Sequence, residues 1–137
     1  MDQTLLREIL EEHASQSSAE GVLQNPSYAA EWKSTKTGNL CRVQIEIDHQ
    51  QLLRIVAQVD GSALAKACAS IMCSELQGVT IDQAHAIHGE ILKWVECRVA
   101  PTKWKGELVV YESLVQFPER MDCAMLCWRA LKLALQD

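Results

Sequence analysis

The chain has 137 residues, 48% of them apolar and 23% charged, with a net charge of −5. This is the size and composition of one globular domain able to bury a core unaided, which argues against disorder. The charge is dispersed without a basic run, which argues against a nucleic-acid partner, and no apolar stretch approaches the roughly 18 residues of a membrane span. Met1-Asp2-Gln3-Thr4 opens without a basic segment followed by an apolar one, so no secretory signal is expected and the expected compartment is the cytoplasm.

In chain order, Leu5, Leu6, Ile9 and Leu10 fall opposite Arg7, Glu8, Glu11 and Glu12, the pattern of an amphipathic helix. The polar stretch from Ser15 to Ser18 ends it, and Asn25-Pro26 makes the segment from Gly21 to Tyr28 irregular. A weakly signalled strand is expected around Ala30–Thr35. Cys41, Val43, Ile45 and Ile47 then alternate with Arg42, Gln44, Glu46 and Asp48, and Leu53, Ile55, Ala57 and Val59 repeat the period after a turn at Asp48-His49-Gln50. Two such runs predict an antiparallel hairpin.

From Ser62 the pattern turns helical. Ser62 caps a helix that runs to Leu76 and stops at Gly78, and Thr80 with Gln83 opens another that reaches about Glu96. Pro101 and Gly106 lead into a shorter helical piece, Glu107–Val115. Pro118 opens a last helix on which Met121, Met125, Trp128, Leu131 and Leu135 share a face. Strands early and helices late predict one α+β domain over residues 1–137: a small antiparallel sheet of about three strands packed by about five helices.

Six cysteines, Cys41, Cys68, Cys73, Cys97, Cys123 and Cys127, include no Cys-x-x-Cys pair, and free cysteine commonly serves as a small core residue. His85 and His88 stand at metal-sharing spacing, but only Asp82 lies a turn away, so a solvated helix face is expected there.

Three segments together resemble the NifU/SufU family of iron–sulfur cluster assembly scaffolds, and within it the SufU-like branch. They are Thr37-Gly38-Asn39 running into Arg42–Ile47, the small-residue run from Gly61 to Met72, and Phe117-Pro118-Glu119-Arg120-Met121-Asp122-Cys123-Ala124-Met125-Leu126-Cys127-Trp128. The family shows Cys-Gly-Asp, then Gly-Cys, then Phe-Pro-x-Arg-x-x-Cys-Ala-x-Leu-x-Trp at these places. The resemblance implies a SufE/NifU-like fold. It also implies iron–sulfur cluster assembly as a scaffold-like or sulfur-accepting protein, with a cysteine desulfurase or an iron–sulfur scaffold protein as partner.

Residue by residue, the family's first cysteine falls on Thr37, its aspartate on Asn39 and its second cysteine on Ser62; only the third remains, as Cys123. Hydroxyl and amide groups replace thiolate and carboxylate ligands poorly. An iron–sulfur cluster, iron or zinc therefore stands beside no cofactor at all as an expectation. Asp122 can add one oxygen to the sulfur of Cys123. Cys41 follows Asn39 by two residues and would share its face on a longer strand, although its alternation with Val43 and Ile45 assigns it to the core. Cys127, one turn after Cys123, is expected to pack. Cys123 is the candidate sulfur acceptor. Three roles follow: scaffold-like or sulfur-accepting protein; a degenerate, metal-free interaction module for a desulfurase or scaffold; or a persulfide-carrying sulfurtransferase. The first two are not enzymatic.

Overall fold

The computed structural model of the chain describes residues 3–15, 21–114 and 120–135. Its order is α1 (Gln3–Ser15), β1 (Tyr28–Lys33), β2 (Leu40–Asp48), β3 (Gln51–Asp60), α2 (Ala63–Leu76), α3 (Ile81–Cys97), a 3-10 turn (Gly106–Val110), α4 (Tyr111–Leu114) and α5 (Met121–Leu135). This is the expected α+β architecture. The three strands form one antiparallel sheet in the order β1-β2-β3.

Cys41, Val43 and Ile45 on β2, with Leu52, Ile55 and Ala57 on β3, are buried beneath the helices. Helix α5 lies on β1 and β2, α2 lies on β3 and against α5, and α1 covers α2. β1 is displaced toward the N-terminus of the expected strand, because the backbone closes into a loop at Ser34. On β3 the alternation breaks: Leu52 is buried and Leu53 is 44% exposed. The cause is a bulge, since Glu46 pairs with Arg54 but Ile47 pairs with Leu52, leaving Leu53 without a partner position. Simple period-two reading cannot anticipate an inserted residue. The hairpin turns at His49 and Gln50, both at positive φ (50° and 67°), the conformation that a two-residue turn between right-twisted strands requires.

The free edge of β3 is partly satisfied by a side chain. Gln77 donates from Nε2 to the carbonyl of Ile55 at 2.7 Å and accepts from its N–H at 3.3 Å. Both expected caps form: Ser62 Oγ accepts from the N–H of Ala65, and Thr80 and Gln83 make a reciprocal capping box. On α1, Leu6 is buried while Leu5 is 44% exposed, so the apolar stripe is narrower than the sequence suggests. His13 clamps this helix, with Nδ1 2.8 Å from Ser70 Oγ and Nε2 2.8 Å from Glu107 Oε1. A carboxylate only accepts, so Nε2 donates to Glu107, and Nδ1 shares a hydrogen bond with the Ser70 hydroxyl. Ser70 is 1% exposed, which makes the arrangement a clamp between α1, α2 and the 3-10 turn rather than a presented nucleophile.

The expected solvated histidine face is half right. His85 is exposed, but His88 is buried and stacks on Trp128, ring centroids 5.5 Å apart. Trp128 is fully buried and donates from Nε1 to Tyr111 Oη at 2.9 Å, and that hydroxyl donates to the carbonyl of Ala124 at 2.7 Å. This buried relay ties α4 to the first turn of α5 and so fixes the helix that carries Cys123. Phe117 and Pro118, and with them the expected start of the last helix, lie outside the described residues.

Candidate functional site

The loop between β1 and β2 is built by Ser34. Its N–H donates to the carbonyl of Asn39 at 2.8 Å and its carbonyl accepts from Gly38 at 2.9 Å, while its Oγ accepts from the N–H groups of Lys36 and Thr37, both at 3.2 Å. Gly38 sits at φ +78°, a conformation that side chains with a Cβ rarely adopt. The result is a compact loop that holds Thr37 and Asn39 over the N-terminus of α5.

Asp122, the second residue of α5, closes this loop from the other side. One carboxylate oxygen accepts from the Ser34 hydroxyl and from Thr37 Oγ1 (3.4 Å), and the other pairs with Arg129 Nη1 at 2.8 Å. Burial alone would push its carboxyl up, but the bonds from Ser34, Arg129 and Thr37 outweigh it and hold the group below the usual carboxylate range. The carboxylate next to Cys123 is therefore engaged by these partners.

Cys123 is half-buried, and Asn39 Nδ2 approaches its Sγ at 3.3 Å. The other end of the same amide, Oδ1, accepts from the backbone N–H of Ser62 at 3.3 Å, at the start of α2. Asn39 is itself buried, and Gly61 explains how it fits: a Cβ there would come within 2.2 Å of Asn39 Oδ1. One amide thus joins the loop, the N-terminus of α2 and the N-terminal turn of α5. Positions 37, 39, 62 and 123, far apart in sequence, belong to one hydrogen-bonded cluster, with Thr37 Oγ1 also accepting from the N–H of Asn39 at 3.3 Å.

The other cysteines lie elsewhere. Cys41 is in the core, because β2 begins at Leu40 and leaves Asn39 in the loop; burial pushes its thiol up to about 12. Cys68 is likewise pushed up to about 12 by burial, and Cys73 and Cys127 are raised by the same cause. Cys97 is exposed at the end of α3. Among the described residues no group of three or more His, Cys, Asp or Glu side chains is arranged to hold a metal ion.

Ser34 and Arg129 are the members of the site that the sequence reading missed. Ser34 opens a turn-rich run, Ser-Thr-Lys-Thr-Gly-Asn, which is the available signal for a hydroxyl-anchored turn. Arg129, seven residues after Asp122, gives no local signal. Away from this site, Trp94 donates to the carbonyl of Tyr111 and Trp104 to Glu112 Oε1, both at 2.8 Å, whereas Trp32 on edge strand β1 is 37% exposed. No helix among the described residues is long and apolar enough to cross a membrane.

Comparison with known proteins agrees with this architecture. The family described as NifU-like N terminal domain matches residues 7–137. The chain is 24% identical over 109 residues to the iron–sulfur cluster assembly scaffold protein IscU of Streptococcus pyogenes serotype M1, covering 79% of this chain and 69% of that protein. It is 24% identical over 132 residues to the zinc-dependent sulfurtransferase SufU of Bacillus subtilis (strain 168), covering 94% and 88%. Among solved structures, a candidate scaffold protein for the SUF system from Fervidobacterium islandicum AW-1 superposes with a TM-score of 0.88 at 18% identity, covering 94% of this chain and 95% of that one. The N-terminal part of a NifU-like protein from Brucella abortus gives 0.84 at 19% identity, covering 93% and 90%.

Proposed function

Because this chain belongs to the NifU-like N-terminal domain family, we propose that it serves iron–sulfur cluster assembly as a sulfur-accepting protein, with Cys123 as the acceptor and a cysteine desulfurase as the donor. One observation carries the reading. Of the six thiols, Cys123 alone is both accessible and set among the polar groups of loop 34–39 and the start of α2. The relatives named for sulfur transfer and for cluster scaffolding support the process.

The chemistry needs a single thiol. The Cys123 thiolate attacks the outer sulfur of a donor persulfide, the donor's sulfur–sulfur bond breaks, and the donor leaves as a thiolate. Cys123 then holds the persulfide, and no net oxidation or reduction occurs. Asn39 aims an N–H at the sulfur from 3.3 Å, the polar contact that sets Cys123 apart from the packed thiols. Release to an iron–sulfur scaffold is the reverse attack by the recipient's thiol.

The test is labelled-sulfur transfer from a cysteine desulfurase supplied with cysteine, read by mass spectrometry of the intact chain. A gain of one sulfur on Cys123, absent in Cys123→Ser, is expected; a labelled Cys123→Ser chain overturns the assignment. The neutral side chains at Thr37, Asn39 and Ser62 favour a second reading, an interaction module for a desulfurase or scaffold. It predicts a complex that persists in Cys123→Ser with no sulfur uptake by the unaltered protein.

A further inference from the structure

We propose that Asn39 commits the Cys123 site to thiol chemistry without a bound metal, an inference that rests on reading Cys123 as the working thiol. The orientation of the amide is forced. A backbone N–H can only donate, so the Ser62 N–H requires Oδ1 at its 3.3 Å contact, and Nδ2 is left facing Cys123 Sγ at 3.3 Å. An amide nitrogen has no lone pair to offer a cation. It instead occupies the sulfur's approach with a donor, from a buried position backed by Gly61 that leaves the side chain little room to turn.

The neighbouring polar groups do not make good the loss. Thr37 Oγ1 donates to Asp122 and accepts from the N–H of Asn39, and the Ser62 hydroxyl is spent on the Ala65 cap. Both oxygens of Asp122 are engaged, one by Ser34 and Thr37 and the other by Arg129. Zinc and iron sites are assembled from anionic thiolates and carboxylates or from imidazole, and the donors of these kinds in this cluster are the Cys123 sulfur and Asp122, whose two oxygens are already taken by hydroxyls and by Arg129. The residues present do not fit a resident metal.

The same geometry explains why position 39 decides the matter. A carboxylate of the same shape would set an oxygen where Nδ2 now stands, 3.3 Å from the sulfur. Two acceptors at that separation repel unless a proton or a cation lies between them. The amide therefore favours the metal-free cluster, whereas its isosteric acid would favour a cation beside the sulfur. Thr37 and Ser62, hydrogen-bonded to the same residue or through it, are the positions from which further ligands could reach the pocket.

The experiment measures zinc in the full chain after equilibration with excess Zn2+ and dialysis against a competing chelator. The set is the unaltered protein, Cys123→Ser, Asn39→Asp, the triple variant Thr37→Cys/Asn39→Asp/Ser62→Cys, and that triple variant with Cys123→Ser, each checked for folding by circular dichroism. The unaltered protein should retain under about 0.1 equivalent, the same as Cys123→Ser, and Asn39→Asp should bind zinc at least about tenfold more tightly than it. The triple variant should hold about one equivalent and lose it with Cys123→Ser. Near-stoichiometric zinc in the unaltered protein that Cys123→Ser releases would overturn the proposal. So would a folded triple variant that retains no more zinc than the unaltered chain. Sulfur acceptance is assayed in parallel with chelator present. Its failure with the expected zinc pattern removes the sulfur-carrier reading and leaves standing only the assignment of a site without a resident metal.

Discussion

Two populations of cysteine occupy this small fold, and their settings are opposite. Cys41, Cys68, Cys73 and Cys127 lie fully buried between the sheet and helices α2 and α5, where burial raises their thiols and leaves no route for a reactant. Cys123 stands on the same helix as Cys127, four residues earlier, yet it is half-exposed and receives an N–H from Asn39. One turn of helix separates a packed methyl-sized group from a candidate sulfur acceptor. The difference lies in what faces each residue, and only the folded chain supplies that.

The largest expected effect tests this contrast directly. In a Cys97→Ser background, iodoacetamide under native conditions should modify Cys123 at least about 1000-fold faster than any of the four core thiols, which react only through unfolding or local opening. Mass spectrometry of peptides after timed quenching reads the ratio, and comparable rates would erase the distinction between the two groups.

Next in size is a pH effect in the core. Burial pushes His88 down to about 4, with Lys132 and His85 adding to it, from an ordinary value of 6.5. Between these values the unfolded chain binds the proton and the folded chain does not. The stability is therefore whole above pH 6.5, drains as pH falls toward 4, and is fully lost below that. The span is about 1–3 kcal/mol, and in urea titrations His88→Phe should flatten the slope across that window.

A smaller effect is expected at the site. Asn39→Ala removes the bonds to Ser62 and Cys123 and should cost about 1–2 kcal/mol of stability. At fixed pH it should also slow alkylation of Cys123 by roughly fivefold, the loss of about one hydrogen bond to the sulfur. An unchanged rate would mean that the amide only props the loop. The smallest effect belongs to the exposed residue of the bulge: Leu53→Thr should stay within about 0.5 kcal/mol of the unaltered protein, although its buried neighbour costs about 2–4 kcal/mol as Leu52→Ala.

Much of the fold was legible from local pattern. Ser62 and the pair Thr80 and Gln83 announce their helices because capping is chemistry between residues three apart. The β2 alternation and the shared face of Met125, Trp128 and Leu131 are likewise written at short range, since strand and helix periods act over a few residues. The exchange of Leu52 for Leu53 and the burial of His88 were not legible. The first depends on an extra residue in strand pairing, and the second on the facing Trp128.

The sequence by itself determined the α+β class, the starts of α2 and α3 and the list of candidate positions Thr37, Asn39, Ser62, Asp122 and Cys123. Tertiary structure alone decided how these positions are wired: Asn39 between Ser62 and Cys123, and Asp122 drawn to Ser34, Thr37 and Arg129. The physical reason is range. Capping and periodicity act within a turn or a few strand residues, whereas the amide that faces Cys123 lies 84 residues away and meets it only when loop and helix pack.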